Sequence, residues 1–335
     1  MDLRRRHVLA AGLALAAGSC SARGAHLLNV SYDPTRELYA EINRVFLAQW
    51  LSAHQGKSLS VQMSNGGSGR QARAVIAGLK ADVVTLATAY DIDQIAKAGL
   101  IANDWRGRLP FRSTPFASTI VFLVRAGNPK AIHDWSDLAR EGVAIVTPNP
   151  KTSGGARWNY LAAWAYALAQ PGGNEARARA FVSAIFKNVA ILDTGARGAS
   201  TTFVDRNIGD VLIAWENEAM LAVQAAGADK FEIITPSMSI LAEPPVAWVD
   251  HNVQAARSSE AAEAYLRFLF TPEAQAIGAK HFYRPNDPAV LVQHNEFAAI
   301  PLATIDDIFG GWTEAQHKHF SEGAIFDQIS AERGQ

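Results

Sequence analysis

Cysteine is almost missing from this chain: Cys20 is the only one in 335 residues. That excludes a disulfide framework, a CxxC redox pair and a thiolate metal cluster. An excess of charge is missing as well. Thirty-one Lys and Arg stand against 32 Asp and Glu, a formal net charge of −1. Nucleic-acid binders usually carry a basic surplus or stripe, and none is seen. If the ligand is an anion, no general positive field holds it. Long apolar runs are also lacking. Beyond the N-terminus nothing approaches the roughly 20 consecutive apolar residues a membrane helix needs. What is present is ordinary globular material, 49% hydrophobic and 19% charged. The length suggests about two domains of roughly 150 residues.

The N-terminus reads as a processing segment. Arg4, Arg5 and Arg6 make a positive start, and Val8 to Gly18 is an apolar run of signal-peptide length. The adjacent arginines also admit a twin-arginine export reading. Ala17-Gly18-Ser19-Cys20 resembles a lipoprotein cleavage site, which would leave a lipid anchor on Cys20. The plainer alternative is a cysteine discarded with the peptide. Residues 1–25 are therefore set apart as a signal peptide.

The remainder alternates strands with helices. Leu27–Tyr32, Leu59–Met63 and Asp82–Ala87 read as strands, each followed by a helical pattern. The pattern restarts with strands at Ser118–Arg125, Val143–Thr147, Val189–Leu192 and Val211–Trp215, then Phe231–Ile234 and Pro245–Val249. Such alternation predicts an α/β fold with largely parallel sheets. One topology accounts for the restart: two α/β lobes joined by a hinge of two crossing strands. The expected first lobe takes 26–112 and 246–335, and the second takes 113–245.

Four strand-to-helix turns are built from small residues: Tyr32-Asp33-Pro34, Asn65 to Gly69, Thr152 to Ala156, and Thr194 to Gly198. Ligands of parallel α/β sheets bind beyond the carboxyl ends of the strands. Helix first turns offer unpaired N–H groups and the positive end of the dipole. Small residues let an anion approach them. Any one such turn alone is more often structural. Other chemistries fail on inspection. Asn65 to Gly69 lacks the Gly-Lys-Ser/Thr ending of a P-loop, and Ser68 lacks the final glycine of a nucleophile elbow. His317 and His319 read as a solvated helix surface, and Glu216 and Glu218 as surface or cap carboxylates. No cofactor, metal site or catalytic residue is expected.

Leu27 to Glu37, Asn149 to Arg157, Asp210 to Glu218 and Ala242 to Val249 together resemble the periplasmic sulfate-binding proteins, the solute-binding components of sulfate/thiosulfate ABC importers. The order and spacing fit over about residues 27–330. The resemblance implies a type II periplasmic binding fold that captures sulfate, with thiosulfate or another tetrahedral oxyanion as the alternative. It implies a monomer that meets the membrane permease subunits of an ABC importer in the periplasm and binds no nucleic acid. A sulfate-sensing role on the same fold stays open. On matching positions the ligand shell is the backbone N–H of Asp33, the hydroxyls of Ser68 and Ser153, the backbone N–H groups of Gly154, Gly155 and Ala196, and the indole N–H of Trp215. Arg157 and Arg197 would support the backbone rather than touch the ligand.

Overall fold

The computed structural model describes residues 25–227 and 229–332. The expected signal segment and Cys20 lie outside the described residues, except for Ala25, which already begins the first strand.

Strands β1 (Ala25–Tyr32), β2 (Leu59–Gly66) and β3 (Val83–Thr85) are parallel, with β1 in the middle. Helices Arg36–Ala53, Ser68–Ile76 and Ala89–Lys97 follow them. The chain then crosses over through β4 (Phe116–Ala117) and enters β5 (Ile120–Arg125). The second lobe repeats the plan with β6 (Ile145–Pro148), β7 (Val189–Asp193), β8 (Val211–Trp215) and β9 (Phe231–Ile234). After β10 (Ser239–Ile240), β11 (Val246–Trp248) returns to the first sheet. Two short strands, β12 (Arg284–Pro285) and β13 (Leu302–Ala303), come last.

The two sheets run β11-β3-β1-β2 and β7-β6-β8-β5-β9. In each, the strand that arrives directly from the other lobe lies antiparallel to a neighbour: β11 to β3, and β5 to β8. The crossing segments also pair with each other. Ser118 and Ala242 exchange two backbone hydrogen bonds of 2.9 Å. This is the two-lobed α/β architecture that the strand pattern predicts.

Alternation along the strands explains the cores. In the second sheet Ile120, Phe122 and Val124 face one apolar cluster and Val121 and Leu123 the opposite one. In the first, Leu27, Val83 and Val246 pack on one face and Val30, Val84 and Ala247 on the other. Both sheets are thus covered on two sides, as parallel sheets require.

The last segment departs from the expected 246–335 assignment. Residues up to Tyr283 do join the first lobe's core, but Ala303, Ile305, Trp312, Phe320, Phe326 and Ile329 bury themselves in the second lobe's core. There β13 pairs with β10, Trp312 meets Trp158 edge-on at 4.6 Å, and Lys151 pairs with Asp327 at 2.8 Å. The cause is apolar: this segment's large side chains complete the cover over the helix Gly154–Ala169, which is buried on nearly all sides.

His319 is a second departure, being fully buried rather than solvated. Its Nδ1 meets the Tyr160 hydroxyl at 3.1 Å, and Trp164 lies edge-on to its ring. Burial, aided by Lys318, lowers its pKa to about 3. The unfolded chain therefore binds this proton more readily, with an ordinary value of about 6.5. Stability due to the neutral ring is complete above that value and is lost as pH falls toward 3. Urea unfolding at pH 7 and pH 4.5 should show a marked acid loss in the parent and a smaller one in His319→Phe.

Candidate functional site

Each predicted turn stands where a strand ends and a helix begins, and the fold brings all four to one place between the lobes. The tightness of their approach is measured by the space that glycine leaves. A Cβ on Gly67 would lie 2.5 Å from the Thr152 carbonyl oxygen. One on Gly154 would lie 2.9 Å from the Ser68 Cβ, and one on Gly195 would lie 2.8 Å from Asp33 Oδ2. These contacts join first-lobe turns to second-lobe turns, so the structure is a closed form.

In the second lobe, Ser153 caps the helix Gly154–Ala169, its Oγ accepting from Ala156 N at 3.3 Å. That satisfies the third amide of the turn and leaves the Gly154 and Gly155 N–H groups without an intrahelical partner. The Ser153 hydroxyl proton stays free of this cap. Gly195 precedes the helix Ala196–Val204, so the Ala196 N–H is also a first-turn donor. Trp215, buried at the end of β8, points its indole toward the same turn: Nε1 donates to the Gly155 carbonyl at 3.2 Å. Its ring packs on Tyr32 at 5.5 Å, across the lobe boundary. A small pocket is lined by Gly155, Ala196, Ser200, Trp215 and Glu218, among others.

In the first lobe, Asp33 opens the short turn of helix before Arg36, with Pro34 next to it, where its missing N–H costs no helix bond. Burial pushes its carboxyl up, against the opposing pull of Arg36, Arg197 and Arg70. Ser68 opens the helix Ser68–Ile76 and is buried. Its hydroxyl donates to Asp91 Oδ2 at 2.5 Å and accepts from Ala87 N at 3.0 Å. The proton expected to face the ligand is therefore committed to Asp91 here.

The two arginines behave differently. Arg157 is buried, donating from Nε to the Pro150 carbonyl at 3.2 Å and from Nη1 to Asp91 Oδ1 at 3.2 Å. Arg197 is exposed and holds Glu37 of the first lobe through one guanidinium nitrogen, at 2.7 and 2.8 Å.

Glu216 and Glu218 both lie in the first turn of the helix Glu216–Ala226, as cap carboxylates would, but the surface reading is corrected. Glu216 is buried in a bidentate pair with Arg284, at 2.6 and 2.7 Å. Glu218 is half-buried and borders both the small pocket and a larger groove beside Pro34, Glu37 and Arg197. Burial pushes it up to about 8, Arg197 opposing and Asp33 and Glu37 adding to the rise. Asp91 and Glu218 were not legible as site residues. Asp91 sits inside an ordinary helix, and its role comes from a partner 66 positions away in sequence.

Among the described residues no group of three His, Cys, Asp or Glu side chains could hold a metal, and no helix is long and apolar enough to cross a membrane. Two lobes closing over helix N-termini, with neutral donors between them, define a cleft-type solute-binding protein. The family described as bacterial extracellular solute-binding protein matches residues 28–284. The sulfate-binding protein of Escherichia coli is 58% identical over 94% of this chain and 96% of its own length. The thiosulfate-binding protein of Pseudomonas aeruginosa is 48% identical over 96% of both. Among solved structures, the sulfate-binding protein SubI of Mycobacterium tuberculosis aligns with a TM-score of 0.79 and 34% identity, covering 89% of this chain and 100% of that one. The chain belongs to the bacterial extracellular solute-binding proteins, and within them to the family of the sulfate- and thiosulfate-binding proteins.

Two outcomes test the geometry. Gly154→Ala puts a methyl against Ser68 and Ala87, so the lobes cannot seat fully; ligand affinity should fall tenfold or more while the fold survives, read by calorimetry and circular dichroism. Glu218 has a raised folded pKa, so its contribution to stability is complete below about 4.5 and is lost as pH rises through about 8. Melting of Glu218→Gln should lack that alkaline-side decline.

Proposed function

We propose that this protein captures sulfate in the cleft between its lobes and hands it to the permease subunits of an ABC importer. The single observation that carries the reading is the convergence of four donor turns, two from each lobe, on one closed site. The names of its relatives supply the ligand class. In this reading the lobes move about the paired crossing segments near Ser118 and Ala242. The first lobe comprises about 26–112 and 246–300, and the second about 113–245 with the C-terminal segment. The protein works as a monomer outside the cytoplasm, after export on its N-terminal signal segment. It performs no catalysis.

The shell comprises the Asp33, Gly154, Gly155 and Ala196 N–H groups, the Ser68 and Ser153 hydroxyls and the Trp215 indole. A buried dianion must recover its lost hydration. Hydrogen bonds to a charged acceptor supply about 1.5–3 kcal/mol each, and the helix N-termini add their dipoles. No salt bridge to the ligand is required. On binding, Trp215 Nε1–H redirects its hydrogen bond from the Gly155 carbonyl to the ligand, and the Ser68 hydroxyl turns its own from Asp91 to the ligand. Sulfate near neutral pH needs only donors. Hydrogen phosphate also brings a proton that these donors leave unpaired, at a cost of about 1–3 kcal/mol. Thiosulfate keeps three oxygens and the same charge, and a relative at 48% identity carries that name, so it is the second ligand of this reading.

A thermal-shift panel of sulfate, thiosulfate, phosphate and molybdate should rank sulfate and thiosulfate well above phosphate. A larger shift with phosphate would overturn the donor-only shell. Trp215→Phe removes one donor and should weaken sulfate binding by about tenfold or more, as measured by calorimetry. Unchanged affinity would remove Trp215 from the shell.

A further inference from the structure

The buried pair of Arg157 and Asp91 plays no part in the donor shell as described, yet it joins the two lobes at the floor of the cleft. Arg157 stands on the helix Gly154–Ala169 of the second lobe, and Asp91 on the helix Ala89–Lys97 of the first. Their side chains are 6% and 3% exposed. Asp91 divides its carboxylate: Oδ1 takes Arg157 Nη1 at 3.2 Å, and Oδ2 takes the Ser68 hydroxyl at 2.5 Å. One neighbouring contact also crosses the boundary, and a second links it to Ser68 within the first lobe. Trp158 Nε1 donates to the Ala87 carbonyl at 2.8 Å, and Ala87 N donates to Ser68 Oγ. A Cβ on Gly154 would lie 3.2 Å from Asp91 Oδ2. Asp91 thus touches a shell hydroxyl, a shell turn and the opposite lobe at once.

We propose that Asp91 is a positioning residue: with Arg157 it forms a closure latch that seats the two lobes on each other and holds the Ser68 hydroxyl at the cleft until a ligand accepts its hydrogen bond. The inference rests on the sulfate-capture reading for its ligand, although the latch itself does not require one. The physical argument is asymmetric. When the lobes part, water solvates both charges and the pair is worth little. When they close, both charges are buried, and each is tolerable only because the other is present. The pair therefore bears on the closed form alone. It acts on the rate at which the cleft reopens, and so on ligand dissociation rather than encounter.

Three variants separate this role from simple structural support. Asp91→Asn keeps an acceptor for Ser68 but leaves the Arg157 cation buried and unpaired. Arg157→Met keeps the stem's packing but leaves a buried carboxylate beside an anionic ligand. The double variant has neither charge and keeps the Ser68 bond. Stopped-flow tryptophan fluorescence with sodium sulfate reads both rate constants. Dissociation should be tenfold or more faster in Asp91→Asn and faster still in Arg157→Met, with association within threefold of the parent. The double variant should dissociate more slowly than either single one. Dissociation within threefold of the parent in both single variants, or losses that simply multiply in the double variant, would overturn the latch.

Small-angle scattering of the unliganded proteins gives a readout that needs no ligand. The single variants should be more extended than the parent, and the double variant should return toward it; identical curves for all four would also overturn the latch. A parent that binds no sulfate would instead defeat the functional reading, with the scattering comparison still deciding the latch.

Discussion

Two lobes can meet over a small ion only where neither puts a side chain in the way. Gly67, Gly154 and Gly195 satisfy that constraint, and the rest of the site follows from it. Their backbones come within contact distance of the opposite lobe, so the first-turn amides of the helices after β6 and β7 reach the interior of the closed cleft. A side chain at any of these positions would hold the lobes apart and leave those amides facing water. Close approach, rather than opposite charge, makes the donors usable, which agrees with a chain whose formal charge nearly cancels.

The fold was largely legible from the amino-acid order. Each strand in the two main sheets coincides with an apolar or β-branched run, and each candidate turn falls at a strand end as read. The reasons are local: strand periodicity and the small-residue turns are both properties of neighbours in sequence. What escaped was non-local. Asp91, Glu216 and Glu218 look like ordinary helical or cap carboxylates until Arg157, Arg284 and Arg197 are brought to them from elsewhere in the chain. His319 looked solvated because a His-x-His stretch carries no sign of the aromatic cage that encloses it. The segment from about Ala303 onward departs from the expected lobe because helical periodicity shows that a face is apolar and not which sheet it will cover.

Carboxylates lie around the candidate cleft. The Asp33 side chain lies by Gly195, Asp91 faces Arg157, and Glu218 is raised toward neutrality by burial. These three negative groups are thus turned aside, paired or disposed to keep a proton. The arrangement limits repulsion of an anion while keeping the arginines occupied with protein partners. Arg197 and Arg157 both bridge the lobes through carboxylates, one at the surface and one in the interior. Both cations are thereby engaged in contacts between the lobes.

The interleaving of the chain through both sheets also bears on how the molecule is made. The first sheet needs β11, and its core needs helices running to Tyr283; the second lobe's core needs residues as late as Ile329. Neither lobe can complete its core until nearly the entire polypeptide is available. A chain of such high contact order gathers its native contacts late and slowly. While its C-terminus is still being made, the apolar faces of both sheets stay partly uncovered.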